Sequence, residues 1–184
     1  MTHEDVLAFW FAGDHATRRP VWFQTDAAFD EACRAFSAAL DQAKANAFDS
    51  WATTPRGALA LLILLDQMSR NLYRGTEQAF AADPKARDIA RAAVAQGFDR
   101  SLSPVERIFL YLPFEHSEDL SDQDESVRLF EGLHDELGGD TLDYAHRHRD
   151  VIRRFGRFPH RNAALGRDNT AEEIAYLAEP GAGF

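Results

Sequence analysis

The 184-residue chain holds one cysteine, two methionines and two lysines, and little that would suit it to a membrane or an oxidising compartment. Cys33 has no partner for an intramolecular disulfide, which excludes a disulfide-stapled secreted scaffold. The longest apolar run, the eight residues "ALALLILL" from Ala58 to Leu65, falls far short of the roughly 20 residues of a membrane-spanning helix. The opening "MTHEDVLAFWF" has acids where a secretory signal has basic residues. A cytoplasmic location follows as the expectation. The chain also lacks a nucleophile elbow, a phosphate-binding glycine loop, a dinucleotide fingerprint, HExxH, paired CxxC and an EF-hand loop. No cofactor is therefore expected.

What the chain has is ordinary globular material: 45% hydrophobic and 27% charged residues, too apolar for a mostly disordered chain. One domain spanning 1–184 is expected, with residues 178–184 as a flexible tail around "EPGAGF". Strand-like alternation is nearly missing, whereas helical periodicity recurs. Phe29, Cys33, Phe36, Leu40 and Ala43 form the apolar stripe of an amphipathic helix, so Cys33 reads as core. Leu59 to Leu65 is apolar on every side, the mark of a buried central helix. "SPVE" from Ser103 and "TAEE" from Thr170 are capping boxes. Asp83-Pro84, Ser121 and Asp140 look like further helix starts, and Gly138-Gly139 and Gly156 like stops. About eight short antiparallel helices are expected, as a bundle or a helical superhelix.

Charge is unevenly spread. The net charge is -10, yet His146 to Arg167 contains seven arginines against Asp150 alone, a local +6. The preceding stretch, Glu115 to Asp143, holds eleven acids and one arginine. The two blocks could neutralise each other, or the basic one could receive an anion. A compact patch on an acidic chain argues against nucleic acid.

Four stretches carry possible chemistry. In "LLDQMSRNLYRG", Asp66 and Arg70 share a helix face, with Gln67, Asn71 and Arg74 beside them. Asp66 continues a buried helix, so it needs a partner, and Arg70 is the nearest. The pair is either an internal salt bridge or an orienting device for a ligand-binding arginine. "PFEHSED" offers Glu115, His116, Glu118 and Asp119 as an acid–base pair, or as an acidic helix N-terminus. Neighbours on a helix point apart, which disfavours a metal site there. His148 interrupts the apolar stripe Tyr144, Val151, Ile152, Phe155, as either a core histidine or a site group. "GRFPHRN" then forms a loop, with Arg157, His160, Arg161 and Asn162, followed by Arg167. Arginine's planar fork suits carboxylate and phosphate.

"FWF", "LLDQMSRNLYRG", "PFEHSED", "FGRFPHRN" and "LGR" occur together in this order. In that combination, over residues 4–177, the chain resembles the mainly bacterial domain of unknown function 924 family. The resemblance implies an all-α, tetratricopeptide-repeat-like superhelix, and it implies no particular activity. The resulting expectation is a polar pocket with Arg70, Arg157, Arg161 and His148 as its wall. Asp66, Gln67, Asn71, Arg74, His116, Glu118, Asn162 and Arg167 complete the ligand-binding set. The expected ligand is a small carboxylate or phosphate. A hydrolase with His116, His148 or His160 as general base is a second expectation. An adaptor gripping a peptide's terminal carboxylate is a third.

Overall fold

The helical periodicity becomes ten α-helices in the computed structural model, which describes residues 1–183. They are α1 (His3–Phe11), α2 (Ala27–Cys33), α3 (Ser37–Lys44), α4 (Pro55–Leu62), α5 (Ser69–Leu72), α6 (Asp83–Ala95), α7 (Pro104–Glu115), α8 (Leu120–Leu137), α9 (Thr141–Phe155) and α10 (Ala171–Leu177). Among the described residues there is no strand, so the fold is all-α. α2 runs into α3 through the 3-10 turn Arg34–Phe36, and α4 into α5 through a π turn, Ile63–Met68. The segments thus form eight continuous rods.

Local sequence chemistry sets most boundaries. Ser103 and Thr170 close their capping boxes, each accepting from the third helical N–H at 3.2 Å. Gly156 ends α9 in the left-handed region, at φ +69°. Other starts differ from expectation because their carboxylates are used elsewhere. Asp83 lies within α6 rather than capping it, and its side chain receives Arg70. Asp140 precedes α9 without capping it, because Arg18 holds its carboxylate. Asp119, not Ser121, caps α8, accepting from Ser121 N at 2.7 Å. "PFEHSED" straddles the end of α7 and the turn before α8, so Glu115 and His116 terminate a helix instead of opening one.

The buried rod is where the sequence placed it: every residue from Ala58 to Leu65 is fully buried. α4 packs against α1, α6 and α7, and α7, α8 and α9 pack in succession. The linkers between α7, α8 and α9 are short, so these three run antiparallel in succession. Trp10, Phe11, Trp22 and Phe109 interlock edge-to-face on the α1 side. A second small cluster, Val151, Ile152 and Phe158, fixes the loop after α9. Burying a phenylalanine such as Phe158 contributes about 1.5–3 kcal/mol, enough to hold an otherwise polar loop in place. Residues 178–183, expected as tail, run as turns, with Arg147 donating to the Gly181 carbonyl at 3.0 Å; residue 184 lies outside the described residues. No helix among the described residues is long and apolar enough to cross a membrane.

Candidate functional site

The π turn at Ile63–Met68 interrupts the buried rod where it becomes polar. Such single wide turns re-aim the side chains that follow, and they are frequent at functional sites. Asp66 and Gln67 lie within it. Asp66 is 1% exposed, and its carboxylate is fully engaged. Arg70 reaches it at 3.0 Å, His116 Nδ1 at 2.8 Å, and Gln67 Nε2 donates at 2.5 Å. Arg70 also forks onto Asp83, with two bonds of 3.0 and 2.9 Å. Burial would push the Asp66 carboxyl up, but the Arg70 and His116 partners outweigh it and hold it well below the carboxylate range. Asp66 is therefore ionised at neutral pH.

The acceptor on each imidazole fixes its tautomer. A carboxylate only accepts, so His116 carries its proton on Nδ1 toward Asp66 and presents Nε2 as an acceptor. His148 Nδ1 lies 2.8 Å from the Tyr144 carbonyl, so it too is protonated there. Burial lowers the pKa of both histidines. For His116 the pull of Asp66 opposes the shift and Arg70 adds to it; for His148 it is well developed. Both rings are neutral at pH 7, with centroids 6.3 Å apart. Glu115 approaches His148 at 3.3 Å. Burial, reinforced by the nearby Asp66 charge, pushes its carboxyl up to about 8, so it keeps its proton at neutral pH. Two adjacent carboxyl side chains are thus held in opposite protonation states, a pattern found at acid–base sites.

These groups border a cavity of about 790 Å³, enclosed by α5, α7, α8, α9 and the segment Arg18–Thr25. That volume lies in the range of small-molecule sites. Gln67, Arg70, Asn71 and Arg74 line one side, and Glu115, His116 and His148 line the inner end. Ile108, Leu112 and Phe130 supply apolar wall. Arg18, Arg19, Trp22, Phe23, Asp140 and Tyr144 line it as well, and none of these six was named as a binding residue from the sequence. "RRPVWF" has no helical period, and only long-range packing brings it here. Thr141 also lines the cavity, with a buried hydroxyl that has no hydrogen-bond partner.

Of the residues singled out in the sequence, Gln67, Arg70, Asn71, Arg74, His116 and His148 converge on the cavity, with Asp66 bonded directly behind them. The others are placed elsewhere. Glu118 accepts from Arg167 at 2.8 and 2.9 Å and from Phe158 N, which ties the loop after α9 to the turn before α8. Arg167 Nε continues to Asn162 at 2.9 Å. Arg157 forks onto Glu173 at 2.6 and 2.8 Å, away from the cavity lining. Arg161 is sandwiched between Phe80 and Phe158 and donates to the His116 carbonyl at 2.9 Å, buttressing the histidine from behind. His160 is exposed and does not line the cavity. The basic block is thus largely matched by acids: Asp124 takes Arg149 and Arg153, and Glu172 takes Arg154. Among the described residues, no three histidines, cysteines or acids converge as metal ligands do.

Residues 6–181 match the family described as bacterial protein of unknown function, DUF924. The chain is also similar to the solved structure of the protein of unknown function ATU0120 from Agrobacterium tumefaciens. The two are 41% identical over 96% of each chain, with a TM-score of 0.85. A comparison with curated proteins finds no match.

Proposed function

The chain belongs to the bacterial DUF924 family, and from the cavity built into this fold we propose that it binds a small molecule bearing a carboxylate or phosphate group. One observation carries the reading. Four segments distant in sequence bring four arginines, Gln67 and two neutral imidazoles onto one cavity. Arg19 makes no ion pair among the described residues and donates to the Phe9 and Trp10 carbonyls. Arg70 and Arg74 are anchored by Asp83 and Asp30, which pre-positions their guanidinium groups. Calorimetric titration with a panel of small carboxylates and phosphates tests the reading. Saturable binding that weakens in Gln67→Ala, with the circular dichroism spectrum retained, is expected. Binding to none of the panel removes it.

The Asp66–His116 pair favours a second reading, a hydrolytic enzyme in which His116 Nε2 takes a proton from water. Asp66 would hold the tautomer and stabilise the imidazolium formed. Turnover of an ester or amide panel, abolished by His116→Gln, tests it. No comparable observation favours the peptide adaptor, since Arg157 and Arg167 are satisfied within the chain. A reducing, cytoplasmic compartment fits the buried single cysteine, and a tetratricopeptide-like superhelix fits the successive packing of α7, α8 and α9.

A further inference from the structure

The inner end of the cavity is balanced in charge. Asp66, Asp83 and Arg161 lie behind the lining, where Arg70 and Arg161 pair with the two acids. Arg70 bridges the two acids, and Arg161 lies 3.6 Å from Asp83. The remaining groups there, Gln67, Glu115, His116 and His148, are uncharged at neutral pH. At that end an arriving monoanion therefore adds one charge that none of these groups cancels. Leaving it unbalanced in a buried site is costly. His116 is placed to answer it. Its Nδ1–H stays on Asp66, and Nε2 can take a proton from solvent, which puts an imidazolium between two carboxylates. A dianion would still leave one charge unanswered.

Polarity also changes along the cavity. Ile108, Leu112 and Glu115 are spaced four and three apart, so they share one face of α7, and all three line it. From Ile108 to Glu115 the helix rises about 10 Å, passing from apolar to polar. Phe130 faces the cavity from α8. Phe23 and Tyr144 are 46% and 37% exposed and line the same cavity, so two large aromatic surfaces are left uncovered beside it.

We propose that this cavity takes a monocarboxylic acid with a ring-sized apolar body, binding the anion together with one proton. The carboxylate lies against His116 and Gln67, and the body lies along Ile108, Leu112 and Phe130. The proposal rests on the anion-binding reading above and narrows it to one class. The protonation of His116 is set by Asp66 and Arg70, from the π turn and α5, and by Arg161; Asp83 from α6 pairs with Arg70, and Glu115 is the next residue in the chain. His148 from α9 and His160 from the following loop also interact with it.

The test is calorimetric titration of the full chain at pH 7.5 with 3-phenylpropionate, phenyl phosphate, succinate and 3-phenylpropionamide, in two buffers of different ionisation enthalpy. Saturable binding of 3-phenylpropionate with net proton uptake is expected. Phenyl phosphate and the amide should bind more weakly by about tenfold or more, the first through its unanswered second charge and the second through its missing one. His116→Gln should abolish the proton uptake; the wild-type measurement decides the matter if that variant does not fold. Tyr144→Ala should weaken the arylalkanoate without changing the proton count. Binding of 3-phenylpropionate without proton exchange overturns the proposal, as does equal or tighter binding of phenyl phosphate or the amide. Binding of succinate or phenyl phosphate but not 3-phenylpropionate overturns it while the broader reading stands. If no anion binds, both fall.

Discussion

Asp66 and His116, separated by 50 positions in the chain, meet at 2.8 Å, and that bond joins the π turn to the end of α7. Asp66 also holds Arg70 and is 1% exposed. Removing its charge takes from Arg70 one of its two carboxylates and from the neutral His116 the charged acceptor of its Nδ1–H. Asp66→Asn keeps the shape but not the charge. It should lower unfolding stability by roughly 3–5 kcal/mol, the usual cost of breaking a buried pair by deleting one member. Urea denaturation measures it. A loss below about 1 kcal/mol would mean that the network contributes little to the fold.

Glu115 gives a pH signature of its own. Its carboxyl is lifted from 4.5 to about 8 by burial and by Asp66. Between those values the folded state keeps a proton that the unfolded chain has lost, so this group's contribution to stability declines as pH rises and is fully lost above about 8. His116 and His148 act in the opposite sense at lower pH. Their pKa values are lowered on folding, so they add stability as pH rises toward 6.5 and nothing further above it. Glu115→Gln removes only the first effect. The stability of this variant relative to wild type should therefore climb from pH 5 to pH 8, by at most about 1.4 kcal/mol per pH unit. Thermal melts across that range read it directly, and a pH-independent difference would place the carboxylate charge elsewhere.

Arg157 separates structure from binding. It holds Glu173 in the capping box of α10 and donates to the Asp168 carbonyl, away from the cavity lining. Arg157→Ala should lower the melting temperature and loosen α10, with the affinity of any cavity ligand unchanged. Hydrogen exchange of the Glu173 and Ile174 amides, alongside a binding titration, distinguishes the two effects. A lost affinity with an unchanged α10 would bring Arg157 back into the site.

Much of the frame was legible in the sequence. The all-apolar run Leu59–Leu65 announced the buried rod, and two capping boxes announced α7 and α10. The Asp66–Arg70 contact followed from spacing alone. What the sequence did not show depends on long-range geometry. Asp66 was assigned one partner, and it has three because the turn at His116 folds back onto it. Glu118, Arg161 and Arg167 read as ligand groups, and their contacts come from long-range packing: Glu118 pairs with Arg167, and Arg161 meets Phe80, Phe158 and the His116 carbonyl. The segment Arg18–Thr25 offered no periodic signal, because its residues pack as individuals against α1 and α7. The π turn left no signature either, since one inserted residue does not alter the all-apolar pattern from Leu59 to Leu65 in which it begins.

Two glycines, Gly57 at the start of the buried rod and Gly156 at the end of α9, contrast close packing with backbone conformation. A Cβ at Gly57, in the first turn of α4, would lie 2.2 Å from the Trp51 carbonyl oxygen and 2.8 Å from the Thr54 Oγ1 that caps the helix. The first neighbour is backbone and cannot step aside, so Gly57→Ala must displace α4 or the preceding 3-10 segment. At Gly156 a Cβ would meet nothing within 4 Å, and the only penalty is the left-handed backbone at φ +69°. Gly156→Ala should therefore cost about 1–2 kcal/mol. Gly57→Ala should cost roughly 1–3 kcal/mol or more, and it should also disturb the near-ultraviolet signal of Trp51, which stacks on Phe48 at 4.2 Å. Equilibrium unfolding with near-ultraviolet circular dichroism measures both. If Gly57→Ala is the milder change and leaves the tryptophan signal intact, α4 is less constrained against the segment before it than these distances require.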